Sequence, residues 1–89
     1  MIRAKKHIVW RKKKELLVLL DTVSGCYFTL NPVGQDLWLT HIVDQQPLEQ
    51  TVDQIAGKYN NPPAKEQILA DCHKLIEDWK NNALIEESA

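Results

Sequence analysis

Cys26, Cys72, His7, His41 and His73 are the side chains of this 89-residue chain that could ligate a transition metal or act as soft nucleophiles. Their spacing supports neither use. Cys72 and His73 are adjacent, so on a helix they point about 100° apart and cannot readily face one ion, and no second pair supplies the remaining ligands. The sequence holds no P-loop, dinucleotide fingerprint, HExxH or CxxC, and no Ser, His and Asp spacing that marks a triad. It therefore predicts no catalytic residue, no metal site and no cofactor. Among the carboxylates, Asp71 alone borders an apolar helical stripe, where it could pair with Lys74 or Lys65 or anchor a ligand. Trp10, Trp38 and Trp79 could form a platform for stacked bases, but Trp38 and Trp79 sit on apolar stripes and do not alternate with Lys or Arg. Trp38 is expected in the core and Trp79 partly exposed at a groove rim.

The elements that must position these residues follow from apolar patterning. Residues 16–20 are continuously apolar between Glu15 and Asp21 and read as a buried strand. Asp21-Thr22-Val23-Ser24-Gly25 supplies turn chemistry, with Gly25 free to take positive φ, so residues 26–30 should return antiparallel. A weaker strand, residues 7–11, precedes them, joined by a turn at 12–14. Asn31-Pro32 is an N-cap followed by a proline suited to the first helical position. The first helix runs over 32–43, with Val33, Leu37, Trp38 and Ile42 at helical spacing. The second spans 48–59, and the third spans 64–81 with a wide stripe of Ile68, Leu69, Cys72, Leu75, Ile76 and Trp79. Leu84-Ile85 should pack back on the body, and the tail 86–89 should fray. The expected fold is one α+β domain over 1–89, of winged-helix type, with an N-terminal three-stranded antiparallel sheet followed by three α-helices.

Charge is segregated along the chain although the formal net charge is -1. Residues 1–14 carry seven cations and no carboxylate; the remainder carries four cations and twelve carboxylates, a basic arm on an acidic body. The arm suits a charged first strand that discourages edge-to-edge pairing, or attraction of an acidic partner. No apolar run is long enough for a signal peptide or a membrane span, and two thiols then read as reduced, which places the protein in the cytoplasm.

The order L-V-L-L-D (17–21), S-G-C-Y-F (24–28), L-N-P-V-G (30–34) and L-W (37–38) resembles the PqqD-like family, named for a protein of pyrroloquinoline quinone biosynthesis. Leu48, Val52, Ile55, Ala56 and Tyr59 match its second helix, and Ile68, Asp71, Cys72, Leu75, Ile76 and Leu84-Ile85 its third helix and end. The chain departs from the pattern at Pro47, where Ser or Thr is usual, at Ala83, where Gly is usual, and at Trp79, where Leu is usual. The resemblance implies a peptide chaperone without chemistry of its own. Such a chaperone captures the leader of a ribosomally made precursor peptide and presents it to a modifying enzyme, either a radical S-adenosylmethionine enzyme or a leader peptidase.

The residues suggest how. The last strand, Cys26, Tyr27, Phe28, Thr29 and Leu30, has no later strand to pair with, so an extended peptide can add to its edge. Ile68, Cys72 and Leu75 would wall the groove, Trp79 would stand at its rim, and Asp71 would be the polar anchor that the resemblance implies. The alternative from another class is a winged-helix DNA-binding protein. Against it, the third helix carries Lys65, Lys74 and Lys80 against Glu66, Asp71, Glu77 and Asp78, a net negative count. No membrane partner is expected.

Overall fold

Two hairpins open the structure, a computed structural model that describes residues 2–59, 61 and 63–87. Strands β2 (Ile8–Lys13), β3 (Leu16–Asp21) and β4 (Tyr27–Leu30) form an antiparallel sheet in the order β2-β3-β4. The first turn is tighter than the lysine run suggested. Lys13 pairs with Leu16 across a two-residue loop, and Lys14 holds φ +58° there, a conformation the sequence signals with neither Gly nor Asn. The second turn follows its residues. Asp21 Oδ1 accepts from the amides of Val23 (2.9 Å) and Ser24 (3.1 Å), and Gly25 takes φ +79°.

One face of the sheet carries Ile8, Leu17, Leu19 and Leu30, all buried, toward the helices. The helical layer starts at α1 (Pro32–Asp36), capped by Asn31, whose Oδ1 accepts from Gly34 N at 2.7 Å. The sequence predicts an α-helix to Val43, but Leu37–Val43 is wound as a π-helix. Thr40 Oγ1 donates to the Asp36 carbonyl at 2.6 Å, competing for the acceptor of an α-helical bond, and Asp44 N closes a wide turn on Leu39 O. The same hydroxyl meets Thr51 Oγ1 at 2.8 Å on α2 (Leu48–Gly57), so the buried Thr51 hydroxyl is satisfied. α3 (Lys65–Asn81) completes the layer.

Trp38 is fully buried at the centre, with Trp10 edge-on at 5.6 Å between ring centroids and Trp79 edge-on at 5.3 Å. Its core placement agrees with its stripe. Gln35, also buried, donates from Nε2 to the carbonyls of Glu15 (2.6 Å) and Leu30 (3.2 Å), which ties α1 to both hairpins.

The chain ends were not legible as structure. β1 (Ile2–Ala4) pairs antiparallel with β5 (Ile85–Glu87) in a separate two-stranded sheet, with Arg3 Nε 3.2 Å from Glu86 Oε1. Glu86 and Glu87 are therefore paired where fraying was expected; Ser88 and Ala89 lie outside the described residues. Part of the basic arm is likewise a strand. The turn that feeds β5 explains the departure at Ala83. Leu84 N bonds to Trp79 O at 2.9 Å and Ala83 N to Lys80 O at 3.1 Å, the two bonds of a Schellman motif, and Ala83 holds φ +59° at the position that favours glycine.

Candidate functional site

The site is built on the edge of β4, which has no partner strand among the described residues. Asp21 N at the end of β3 donates to Cys26 O at 2.9 Å, so Cys26 turns its carbonyl to β3. Pairing alternates from there. With Leu19 opposite Phe28 and Leu17 opposite Leu30, the backbone groups of Phe28 and Leu30 are turned to β3, and those of Tyr27 and Thr29 are turned outward. Each of these two residues presents one N–H and one C=O to an incoming strand.

Side chains on β4 alternate in the opposite sense to the need for partners. Phe28, half-buried, and Leu30, buried, point to the helical side, while Tyr27 and Thr29 point to the outer face and are exposed. Beside Phe28 and Leu30 runs a groove of about 210 Å³ whose far wall is the C-terminal half of α3 and its cap, with Leu75, Asp78, Trp79 and the cap residue Asn82, and whose end is closed by Leu84. A peptide residue opposite Phe28 would therefore send its side chain into the groove. Residues opposite Tyr27 and Thr29 would send theirs to the outer face.

The residues predicted for this site divide. Phe28, Thr29, Leu30 and Leu75 line the groove, and Tyr27 adjoins them on β4 with its side chain on the outer face. Cys26 is exposed and precedes the strand, held by its amide to Ser24 Oγ at 3.2 Å. Ile68 and Cys72 are corrections: at 3% and 0% exposure they belong to the core and do not wall the groove. Trp79, expected half-exposed at the rim, is also corrected. It is 4% exposed, its ring spent on Trp38, and it meets the groove only as floor. The wide stripe of α3 thus faces mostly inward, because it packs on α2, α1 and β5 and meets the π-helical segment through Trp79 and Trp38. Burial, helped by the adjacent Asp71 charge, pushes the Cys72 thiol up, so it stays neutral and unreactive.

Asp71 is exposed on the same helical row as Leu75, Asp78 and Asn82, which follow it at four, seven and eleven positions. It lies one turn beyond the groove proper. Asp71 and Asp78 are about 10 Å apart along the helix axis, the span of about three extended residues. Asp78 and Asn82 escaped the sequence reading, although their spacing from Leu75 would have placed them on its row.

A larger concavity, about 760 Å³, lies elsewhere, on the outer face of the sheet. The β4 groove remains the stronger candidate for a peptide, since it runs beside the outward groups of the β4 edge, whereas the outer concavity reaches the β2 edge among Arg11 and Lys13. No described helix is long and apolar enough to cross a membrane.

Comparison with solved structures finds TbiB1, solved in complex with the TbiA(beta) leader peptide, at a TM-score of 0.82 and 24% identity over 98% of both chains. Lasso peptide synthetase B1, complexed with the leader peptide, matches at 0.82 and 21% identity over 97% of this chain and 98% of its own. At these identities the likeness shows a common fold. Comparison with curated proteins finds no match. The model of the family described as Coenzyme PQQ synthesis protein D matches residues 17–85, from β3 through the first residue of β5, and by that match the chain belongs to the PqqD family.

Proposed function

We propose that this protein captures the leader of a ribosomally made precursor peptide as an antiparallel strand added to β4, and presents the rest of the precursor to a modifying enzyme. The observation that carries this reading is an unpaired strand edge directly beside an apolar groove: outward backbone groups at Tyr27 and Thr29, with Phe28, Leu30, Leu75 and Trp79 behind them. Main-chain bonds to the edge would supply affinity, and the groove would select alternate side chains. That two proteins of the same fold were solved with leader peptides bound supports the choice of ligand.

Within this reading Asp71, on the groove row, anchors a backbone amide or a basic side chain of the leader. The chain performs no reaction, and the enzyme it serves is a radical S-adenosylmethionine enzyme or a leader peptidase in the cytoplasm. The DNA-binding alternative gains nothing from the fold, since Lys65 on α3 is engaged with Asp53 at 2.6 Å and Lys58 with Asp36 at 2.7 Å. Shift mapping by NMR with the cognate leader tests the proposal. The largest changes should fall on Tyr27–Leu30 and Leu75; changes concentrated in residues 2–14 would show that the peptide binds elsewhere.

A further inference from the structure

The sheet has a second face that the peptide groove does not use. By register, Val9, Leu20 and Tyr27 form one row across its outer side, and Arg11, Val18 and Thr29 the next, with Lys13 and Leu16 beyond. Val9 is 48% exposed, Leu16 48% and Tyr27 70%, and the concavity of about 760 Å³ lies among these rows. A contiguous apolar face of this kind on a small protein marks an interaction surface. Among the described residues Arg11 and Lys13 form no ion pair, and Lys12 and Lys14 add charge to the same hairpin.

We propose that this outer face docks the enzyme that acts on the captured peptide, through an apolar patch rimmed by Asp and Glu. The inference rests on the leader-binding reading above. Charge chooses the occupant: cations around an apolar centre call for carboxylates around an apolar centre. A nucleic acid would leave Val9, Val18 and Leu20 unused, and a two-fold pairing with a second copy would set Arg11 and Lys13 of each chain near those of the other. Continuity with the β4 edge supports the same occupant. A leader strand added to β4 extends this very face, because its residues opposite Tyr27 and Thr29 project on the outer side. The enzyme would then read sheet and leader as one surface and prefer the loaded chaperone to the empty one.

The test uses the full chain in cells that make the modified peptide, with the photo-crosslinker p-benzoylphenylalanine in place of Val18. The expected adduct, identified by mass spectrometry, is to the enzyme that consumes the precursor; it is stronger when the precursor is present and falls about tenfold in the Arg11→Glu, Lys13→Glu double variant. An adduct to a second copy or to any other protein, no adduct, or one indifferent to charge reversal overturns the proposal. Leader affinity and melting temperature of the double variant are measured alongside and should match the parent. Failure of the parent to bind leader at all sinks the leader-binding reading itself, whereas normal binding with normal product formation by the double variant sinks the docking face alone.

Discussion

The β2-β3-β4 sheet ends in two edges that lack a partner strand among the described residues, and they offer a partner very different things. On β2 the outward amides of Trp10 and Lys12 stand in a strand exposed at every residue after Ile8, among Arg11, Lys12 and Lys13. That edge has backbone groups but is guarded by charge, as exposed edges commonly are. On β4 the outward groups of Tyr27 and Thr29 stand over a groove floored by Trp79 and walled by Leu75. Backbone makes both edges competent. The side chains beyond the edge decide which one accepts a strand.

The largest effect should come from the residue both edges depend on. Trp38→Ala removes the ring between Trp10, behind β2, and Trp79, under the groove, and should cost about 3 to 5 kcal/mol, enough to remove most of the stability of a domain this size. Trp38→Phe should cost much less, in part because Trp38 Nε1 is buried without a hydrogen-bond partner among the described residues. Thermal melts compare the two, and a Trp38→Ala variant that melts within a few degrees of the parent would place the ring outside the core.

A pair of proline substitutions separates the edges. Thr29→Pro removes an outward N–H that β3 does not use, so the fold should survive while leader affinity falls roughly ten- to a hundredfold. Lys12→Pro does the same to the β2 edge and should leave affinity unchanged. Isothermal titration calorimetry reads both; equal losses would mean that the edges are not distinguished. Asp71→Ala comes next. Losing a charge-assisted bond should weaken leader binding by roughly tenfold or more with the melting temperature unchanged, because the side chain is exposed and its loss leaves the core intact. Affinity that stays the same, or that falls only as stability falls, would remove Asp71 from the site.

Ala83→Gly sharpens the account of the α3 terminus, which sets the Leu84 end of the groove. A left-handed alanine costs about 1 to 2 kcal/mol, and part of that gain is returned through glycine's freer unfolded chain. The expected net stabilisation is about 0.5 to 1 kcal/mol, a rise of roughly 3 to 6 °C in melting temperature. The smallest effect is on the β3–β4 turn. Backbone bonds from Ser24 and then Val23, with His7 nearby, hold the Asp21 carboxyl below its ordinary value against an opposing desolvation. A lowered folded pKa means that the turn's stabilisation is present above the ordinary carboxylate range and is lost as pH falls through the lowered value. The protection factor of the Gly25 amide, whose N–H bonds to Asp21 O at 2.7 Å, should therefore fall in acid relative to its intrinsic exchange rate, and Asp21→Asn should flatten that dependence.

What could be read from residues was mostly local. The run 16–20 and the turn ending at Gly25 gave β3, the return strand and its free edge, because period, turn chemistry and length agree there. The stripe of α3 marked a face that is buried, but it could not say against what. Cys72 and Ile68 turn to the core, and of the stripe only Leu75 and the floor residue Trp79 reach the groove, a partition set by how the helices pack around Trp38. β1 and β5 were invisible for a different reason. Three residues apiece carry no period, and their pairing joins positions more than 80 residues apart, which no local pattern encodes. The π-helical winding at Leu37–Val43 likewise depends on where the Thr40 hydroxyl goes.

Hydrogen exchange at the two edges tests the central claim most directly. In the free protein the amides of Tyr27 and Thr29 on β4, and of Trp10 and Lys12 on β2, all point away from β3 and should exchange readily. With saturating leader, Tyr27 and Thr29 should become strongly protected while Trp10 and Lys12 remain as they were. Protection of Trp10 and Lys12, or binding that leaves Tyr27 and Thr29 in free exchange, would contradict strand addition at β4.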